Sequence, residues 1–158
     1  MAILKYSFLV VSALLIFGCS SKQQLVKEEV PHKINKFAFD FREASSLSPI
    51  LDQAERENKL VFVEIYTSWC LPCKMMDEDV FTNTETAEII NENFISYKVD
   101  AEKNNGPDLN FLFNVNSYPT LLFLDTKGRV LSRGEGAHYH SSLVALAKEA
   151  LDNGATKP

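Results

Sequence analysis

Leu60–Tyr66 reads LVFVEIY, seven residues of which only Glu64 is charged. A strand with one face in water alternates polar and apolar residues. This one does not, so it reads as a central parallel strand covered on both faces. The segments around it supply the cover. Ser48-Pro49 has the form of an N-cap with proline at the first helical position, opening a helix to about residue 58. Residues 75–81 and 85–93 read as helix, 94–99 as strand and 107–114 as helix. TLLFL (120–124) and RVLSR (129–133), joined around Lys127-Gly128, read as an antiparallel hairpin, and Leu143, Leu146, Ala147 and Ala150 mark one face of a closing helix. Phe37, Phe39 and Phe41 fall at period two, as in a half-buried strand. Strands alternating with helices, then a hairpin and a helix, predict an α/β fold: a three-layer sandwich with a central mixed sheet. A chain of 158 residues with 46% hydrophobic content can bury the core of one such domain plus a short appendage. A net charge of −5 with scattered Lys and Arg offers no basic footprint for nucleic acid.

Directly after that strand comes TSWCLPCKMM, with Cys70 and Cys73 at a strand-to-helix junction. A Cys-x-x-Cys pair can hold half a zinc site, close a structural disulfide, or run thiol–disulfide exchange. Structural zinc wants four ligands. No second Cys pair exists, and His138-x-His140 lacks the usual spacing, so no metal is expected and both histidines read as surface loop residues. A helix starting at Cys70 would direct its unpaired amide N–H groups at that sulfur and favour thiolate, the species that attacks disulfides. Cys70 is therefore the expected nucleophile. Cys73, one turn on, is the expected resolving thiol. Pro72 restrains the turn, and neither Leu71 nor Pro72 brings a charge or donor to stabilise the thiolate further, which favours a reducing pair. An inert disulfide fits poorly, because the junction is expected to be exposed and reactive.

The N-terminus reads as a leader. Lys5 precedes an apolar run over residues 6–17, shorter than the roughly 20 residues of a bilayer crossing, as in the hydrophobic region of an export signal. The run ends Ile16-Phe17-Gly18-Cys19, which resembles the lipobox of bacterial lipoproteins, although Phe17 is bulky for that motif. The resemblance implies cleavage before Cys19 and acylation of its sulfur, hence a membrane anchor; an ordinary signal peptide with a nearby cysteine is the alternative. On this reading residues 1–18 are a lipoprotein signal peptide, 19–36 a flexible polar tether and 37–158 the folded domain. Cys70 and Cys73 are then a lone pair.

Glu64 is the one charge in a run suited to burial. A buried carboxylate without compensation costs several kcal/mol or shifts its pKa upward until neutral, and in that state Glu64 could pass protons to and from Cys73 through water. Alternatively it snorkels to the sheet edge. Tyr118-Pro119 precedes a strand expected to be central, where proline needs a special place.

VFVEIYTSWCLPCK, SYPTLLFLDTKGRV and the later Gly136-Ala137 together resemble the signature segments of the thioredoxin-like family over about residues 37–151. The continuation KMMDEDVFTNTETAEIINENF is similar to exported thioredoxin-like domains of DsbD-type thiol:disulfide reductases. The resemblance implies the thioredoxin fold and no cofactor beyond a redox-active Cys70–Cys73 disulfide. It also implies a buried acid six residues before the first cysteine, where Glu64 stands. The lysine that accompanies this acid would fall at Ser96; whether Lys98 substitutes is left open. It further implies a cis Pro119 facing the cysteines, with Trp69, Leu71, Pro72, Tyr118, Pro119 and Gly136 framing a groove for substrate; for Trp69 core packing is the alternative. Expected partners are thiols and disulfides of exported proteins and a membrane thiol electron donor. The expected place is the periplasmic side of a bacterial cell envelope, lipid-anchored. A disulfide isomerase or oxidase, or a non-catalytic binding module of this fold, are the alternatives to a reductase.

Overall fold

The computed structural model describes residues 38–155; the leader, Cys19, the tether and Phe37 lie outside the described residues. In chain order the elements are β1 (Phe41–Arg42), α1 (Ser48–Glu57), β2 (Leu60–Tyr66), α2 (Leu71–Asp79), α3 (Thr84–Asn93), β3 (Phe94–Asp100), α4 (Gly106–Leu112), β4 (Thr120–Leu124), β5 (Val130–Glu135) and α5 (His140–Ala155). The sheet order is β1-β3-β2-β4-β5. β2 pairs parallel with β3 and antiparallel with β4, so the sheet is mixed and LVFVEIY is its central strand.

Alternation along β2 sorts the two cores. Phe62 points to the side where Phe39, Phe41, Phe81 and Met76 meet Leu143, Ala147 and Ala150 of α5. Val61, Val63 and Ile65 point to the other, against Ile50 and Ala54 of α1 and Leu109 in the middle of α4. Each face of the sheet thus carries a helical layer, as the uninterrupted apolar run requires. The first core is aromatic: Phe39 and Phe41 set their rings edge-on to Phe81 at 5.0 and 5.1 Å, and Phe62 stacks on Phe123 at 4.9 Å.

Several boundaries differ from expectation. Phe39 does not extend the strand, because the amides of Ala38 and Phe39 both donate to Phe81 O and that of Asp40 to Asn91 Oδ1. Only Phe41 and Arg42 are left to pair with β3. Ser48 is not the N-cap of α1: Leu47 is, without a side-chain cap, and Pro49 stands in the first turn. Asn58 closes α1 in the left-handed region at φ 53°, a conformation asparagine tolerates. α2 starts at Leu71 and stops at Asp79, since Val80 and Phe81 turn inward and are fully buried. α4 ends two residues early, with Asn114 left-handed at φ 48°, and the last strand runs two residues beyond Arg133. Among the described residues no helix is long and apolar enough to cross a membrane.

Candidate active site

The site forms where β2 ends. Thr67 O accepts the Cys70 N–H at 3.1 Å, which turns the chain. α2 begins one residue later, with Pro72 in its first turn, where a missing N–H breaks no intrahelical bond. Cys70 is the N-cap, extended at φ −72° and ψ 110°, and its Sγ accepts the Cys73 N–H at 3.1 Å. A free amide of the helix N-terminus is therefore aimed at this sulfur. The two cysteines are joined in a disulfide with Cα atoms 5.3 Å apart. Contrary to the expected exposure, Cys70 keeps only 3% of its surface and Cys73 1%. The exposed side chains at the junction are the flanking Trp69 and Leu71, at 64% and 67%. Trp69 does not pack in the core.

Residues from four other segments link to Trp69, directly or through one another. The Trp69 ring stands edge-on to Tyr118 with centroids 5.9 Å apart, and its Nε1–H donates to Glu102 Oε1 at 3.1 Å. Asn110 Nδ2 donates to the Tyr118 hydroxyl at 2.8 Å, which fixes that ring from α4. The Tyr118-Pro119 bond is cis, and Pro119 is buried. Its carbonyl accepts the Gly136 N–H at 2.8 Å; Gly136 sits at φ 77°, where a Cβ would be strained. Nothing in the sequence pattern flagged Glu102 or Asn110, because neither stands in a motif and both act through loop geometry.

Glu64 lies on the α2 face of the sheet and is completely buried. Being on the central strand, it cannot snorkel to an edge. Lys98 stands directly opposite it on β3, while Ser96 is opposite Phe62, so Lys98 is the companion lysine. Lys98 Nζ donates to Glu64 Oε2 and also, at 2.7 Å, to Asp77 Oδ1 on α2. It lies 4.2 Å from the centre of the Tyr66 ring. Burial drives the Glu64 carboxyl up from 4.5 to about 7, only partly offset by the Lys98 charge and hydrogen bond. For Lys98, burial pulls the other way but is outweighed by Glu64 and Asp77, so its pKa is raised and it stays an ammonium. Asp77 was not foreseen. The available signal was its place four residues after Cys73, one helical turn along the same face.

The histidines are not plain loop residues. His140 opens α5, with Nδ1 3.2 Å from Thr86 Oγ1, and half-buried His138 packs its ring so closely on Gly134 that a Cβ there would lie 2.7 Å from Nε2. Among the described residues no three His, Cys, Asp or Glu side chains converge as a metal site requires.

The model of the Thioredox_DsbH family, described as a protein of unknown function, DUF255, matches residues 39–122, which contain β2, both cysteines and Pro119. The chain belongs to the Thioredox_DsbH family. It is a thioredoxin-like disulfide oxidoreductase family, and this member carries the Cys70–Cys73 pair. A solution structure from Bacteroides thetaiotaomicron, named provisionally as a disulphide-isomerase, superposes with a TM-score of 0.64 at 34% identity, over 79% of this chain and all of that one. A thioredoxin from Thermus thermophilus, 22% identical, superposes over 67% of this chain and 85% of its own with a TM-score of 0.60, so the fold is the thioredoxin fold. The thiol:disulfide interchange protein DsbD of Pseudoalteromonas atlantica is 30% identical over 64% of this chain and 18% of its own. Spermatogenesis-associated protein 20 of Rattus norvegicus is 40% identical over 39% of this Thioredox_DsbH chain and 8% of its own length. The chain therefore spans less than a fifth of either curated relative.

Proposed function

We propose that this protein is an exported, membrane-anchored thiol–disulfide oxidoreductase that reduces disulfides of other exported proteins. The observation that carries the reading is the Cys73 amide directed at Cys70 Sγ at the N-terminus of α2. In the reduced protein the same donor and the helix dipole favour a Cys70 thiolate. That thiolate attacks a substrate disulfide, forming a mixed disulfide and releasing one substrate thiolate. Cys73 then gives its proton, through water, to the ionised Glu64 carboxylate and attacks Cys70 Sγ. The mixed bond breaks, the second substrate thiolate leaves and takes a proton from water, and the Cys70–Cys73 disulfide is restored. Two electrons pass from the dithiol to the substrate, and the pair itself is the only redox group needed.

The exposed Trp69, Leu71 and Pro72, with Tyr118, Pro119 and Gly136, supply the surface on which an extended substrate segment lies. Their proximity in the fold supports this role. The leader over residues 1–18, lipid on Cys19 and the tether over 19–36 place the domain at the periplasmic side of the envelope, where a membrane thiol donor of electrons returns the pair to its reduced form. A disulfide-isomerase reading is favoured by the name of the 34%-identical relative and keeps the same attack on Cys70. An insulin-reduction assay with dithiothreitol tests exchange: acceleration lost in Cys70→Ser supports the proposal, and no acceleration by the wild type refutes it.

A further inference from the structure

Lys98 is shared. Its ammonium has three protons to donate; one goes to Glu64 Oε2 on the central strand and one to Asp77 Oδ1 on α2. Two carboxylates around one cation carry a net negative charge if both are ionised, and a single proton makes the cluster neutral. Burial favours that proton on Glu64, which keeps none of its side-chain surface in water, whereas Asp77 keeps 20%. Glu64 Oε1 has no hydrogen-bond partner among the described residues and is the oxygen free to carry it. Asp77 thus withdraws part of the lysine from Glu64 and adds a negative charge nearby.

We propose that Asp77 is a positioning residue for the exchange reaction, dividing the Lys98 ammonium between two carboxylates so that Glu64 can take and return the Cys73 proton. The inference rests on the oxidoreductase reading for its use, though not for its geometry. With the whole lysine to itself, Glu64 would be held as a carboxylate across the working range and would be a poor proton carrier. Among the described residues, the groups that act on Glu64 are Lys98 of β3 and Asp77 of α2, with Tyr66 beside it on β2. β4 presents apolar Leu121, and beyond it His138 lies over Gly134. Among these only Asp77 bonds the same cation as Glu64 and is itself reached by water. Its pull on Lys98 also fastens the second turn of α2 to the sheet, next to Met76, whose Sδ accepts the His138 N–H at 3.4 Å.

Carboxyl NMR of the oxidised protein, in which no thiol titrates, reads the Glu64 midpoint directly. Removing Asp77 lets Lys98 pair fully with Glu64, so Asp77→Asn should lower the midpoint from near 7 by about one pH unit. Asp77→Ser should do the same, and Asp77→Glu should restore it. The rate at which a preformed Cys70 mixed disulfide is resolved should follow, its acid limb moving down by the same amount. An unchanged Glu64 midpoint in both Asn and Ser variants overturns the proposal, even if both variants lose stability. Failure of the wild type to exchange disulfides at all would instead defeat the oxidoreductase reading, leaving the midpoint measurement to judge Asp77.

Discussion

Replacing Glu64 by glutamine should change how stability depends on pH. Burial lifts the carboxyl from 4.5 to about 7 in the folded protein. Between those values the native state holds a proton that the unfolded chain has released, so unfolding releases a proton and rising pH favours the unfolded state. The stability contributed by protonated Glu64 is fully present below about pH 4.5 and lost by the time pH has passed about 7. At about 1.4 kcal/mol per pKa unit the loss amounts to about 3 kcal/mol. No discount for solvent screening applies, because the side chain is fully buried. Glutamine is close in shape and does not titrate. The difference in unfolding free energy, wild type minus Glu64→Gln, should therefore fall by about 3 kcal/mol from pH 4.5 to 7 and be level on either side. Asp100 and Asp125, whose burial is outweighed by hydrogen bonds from Lys103 and Arg129 and whose pKa values are lowered, lend stability that disappears in acid instead. They are common to both proteins and cancel. Urea titrations of the oxidised forms at half-unit steps measure the difference. A difference constant to within about 0.5 kcal/mol over that range would refute the argument that burial, rather than the lysine, governs Glu64.

Gly106→Ala should destabilise the domain by about 2 kcal/mol or more, seen as a lower urea midpoint, because the new Cβ would lie 2.0 Å from Asp100 O, a backbone atom that cannot swing aside. Cys73→Ser should accumulate mixed disulfides through Cys70, and Cys70→Ser should form none; mass mapping that finds trapping through Cys73 instead would reverse the roles. Cys19→Ala should release the protein from membranes or leave its precursor uncleaved, as fractionation and mass spectrometry report; an unmodified mature N-terminus at another residue would end the lipoprotein reading.

The central strand was legible to the residue, because LVFVEIY can only be buried on both faces and is bounded by a lysine and a turn. β4 was legible for the same reason. The period-two pattern misled at Phe39 because it records which side chains are buried, not where the backbone amides go. Here the amides of Ala38, Phe39 and Asp40 go to Phe81 O and Asn91, partners more than 40 residues away, and that of Phe41 to Phe39 O. At the site, the cysteines and Pro119 announce themselves by residue type. Lys98 and Asp77 do not, since what matters for them is register across two strands and one helical turn. Ser96 and Lys98 point to the same face of β3, so alternation alone could not choose between them; only the pairing of Glu64 with Lys98 does.

The equilibrium potential of the Cys70–Cys73 pair decides whether the reduced protein acts as a reductant. A pair is a strong oxidant when its reduced thiolate is greatly stabilised. Cys70 has the α2 N-terminus and the Cys73 amide, but Leu71 and Pro72 add no charge or donor to it. The potential should therefore lie nearer about −270 mV, the thioredoxin value, than about −120 mV, that of DsbA. The gap is wide, since 30 mV corresponds to about 1.4 kcal/mol for two electrons. Equilibration in glutathione buffers, read by Trp69 fluorescence or thiol alkylation, gives the number. A value below about −230 mV is the predicted result, and one above about −180 mV would contradict it and assign the protein to isomerisation or oxidation.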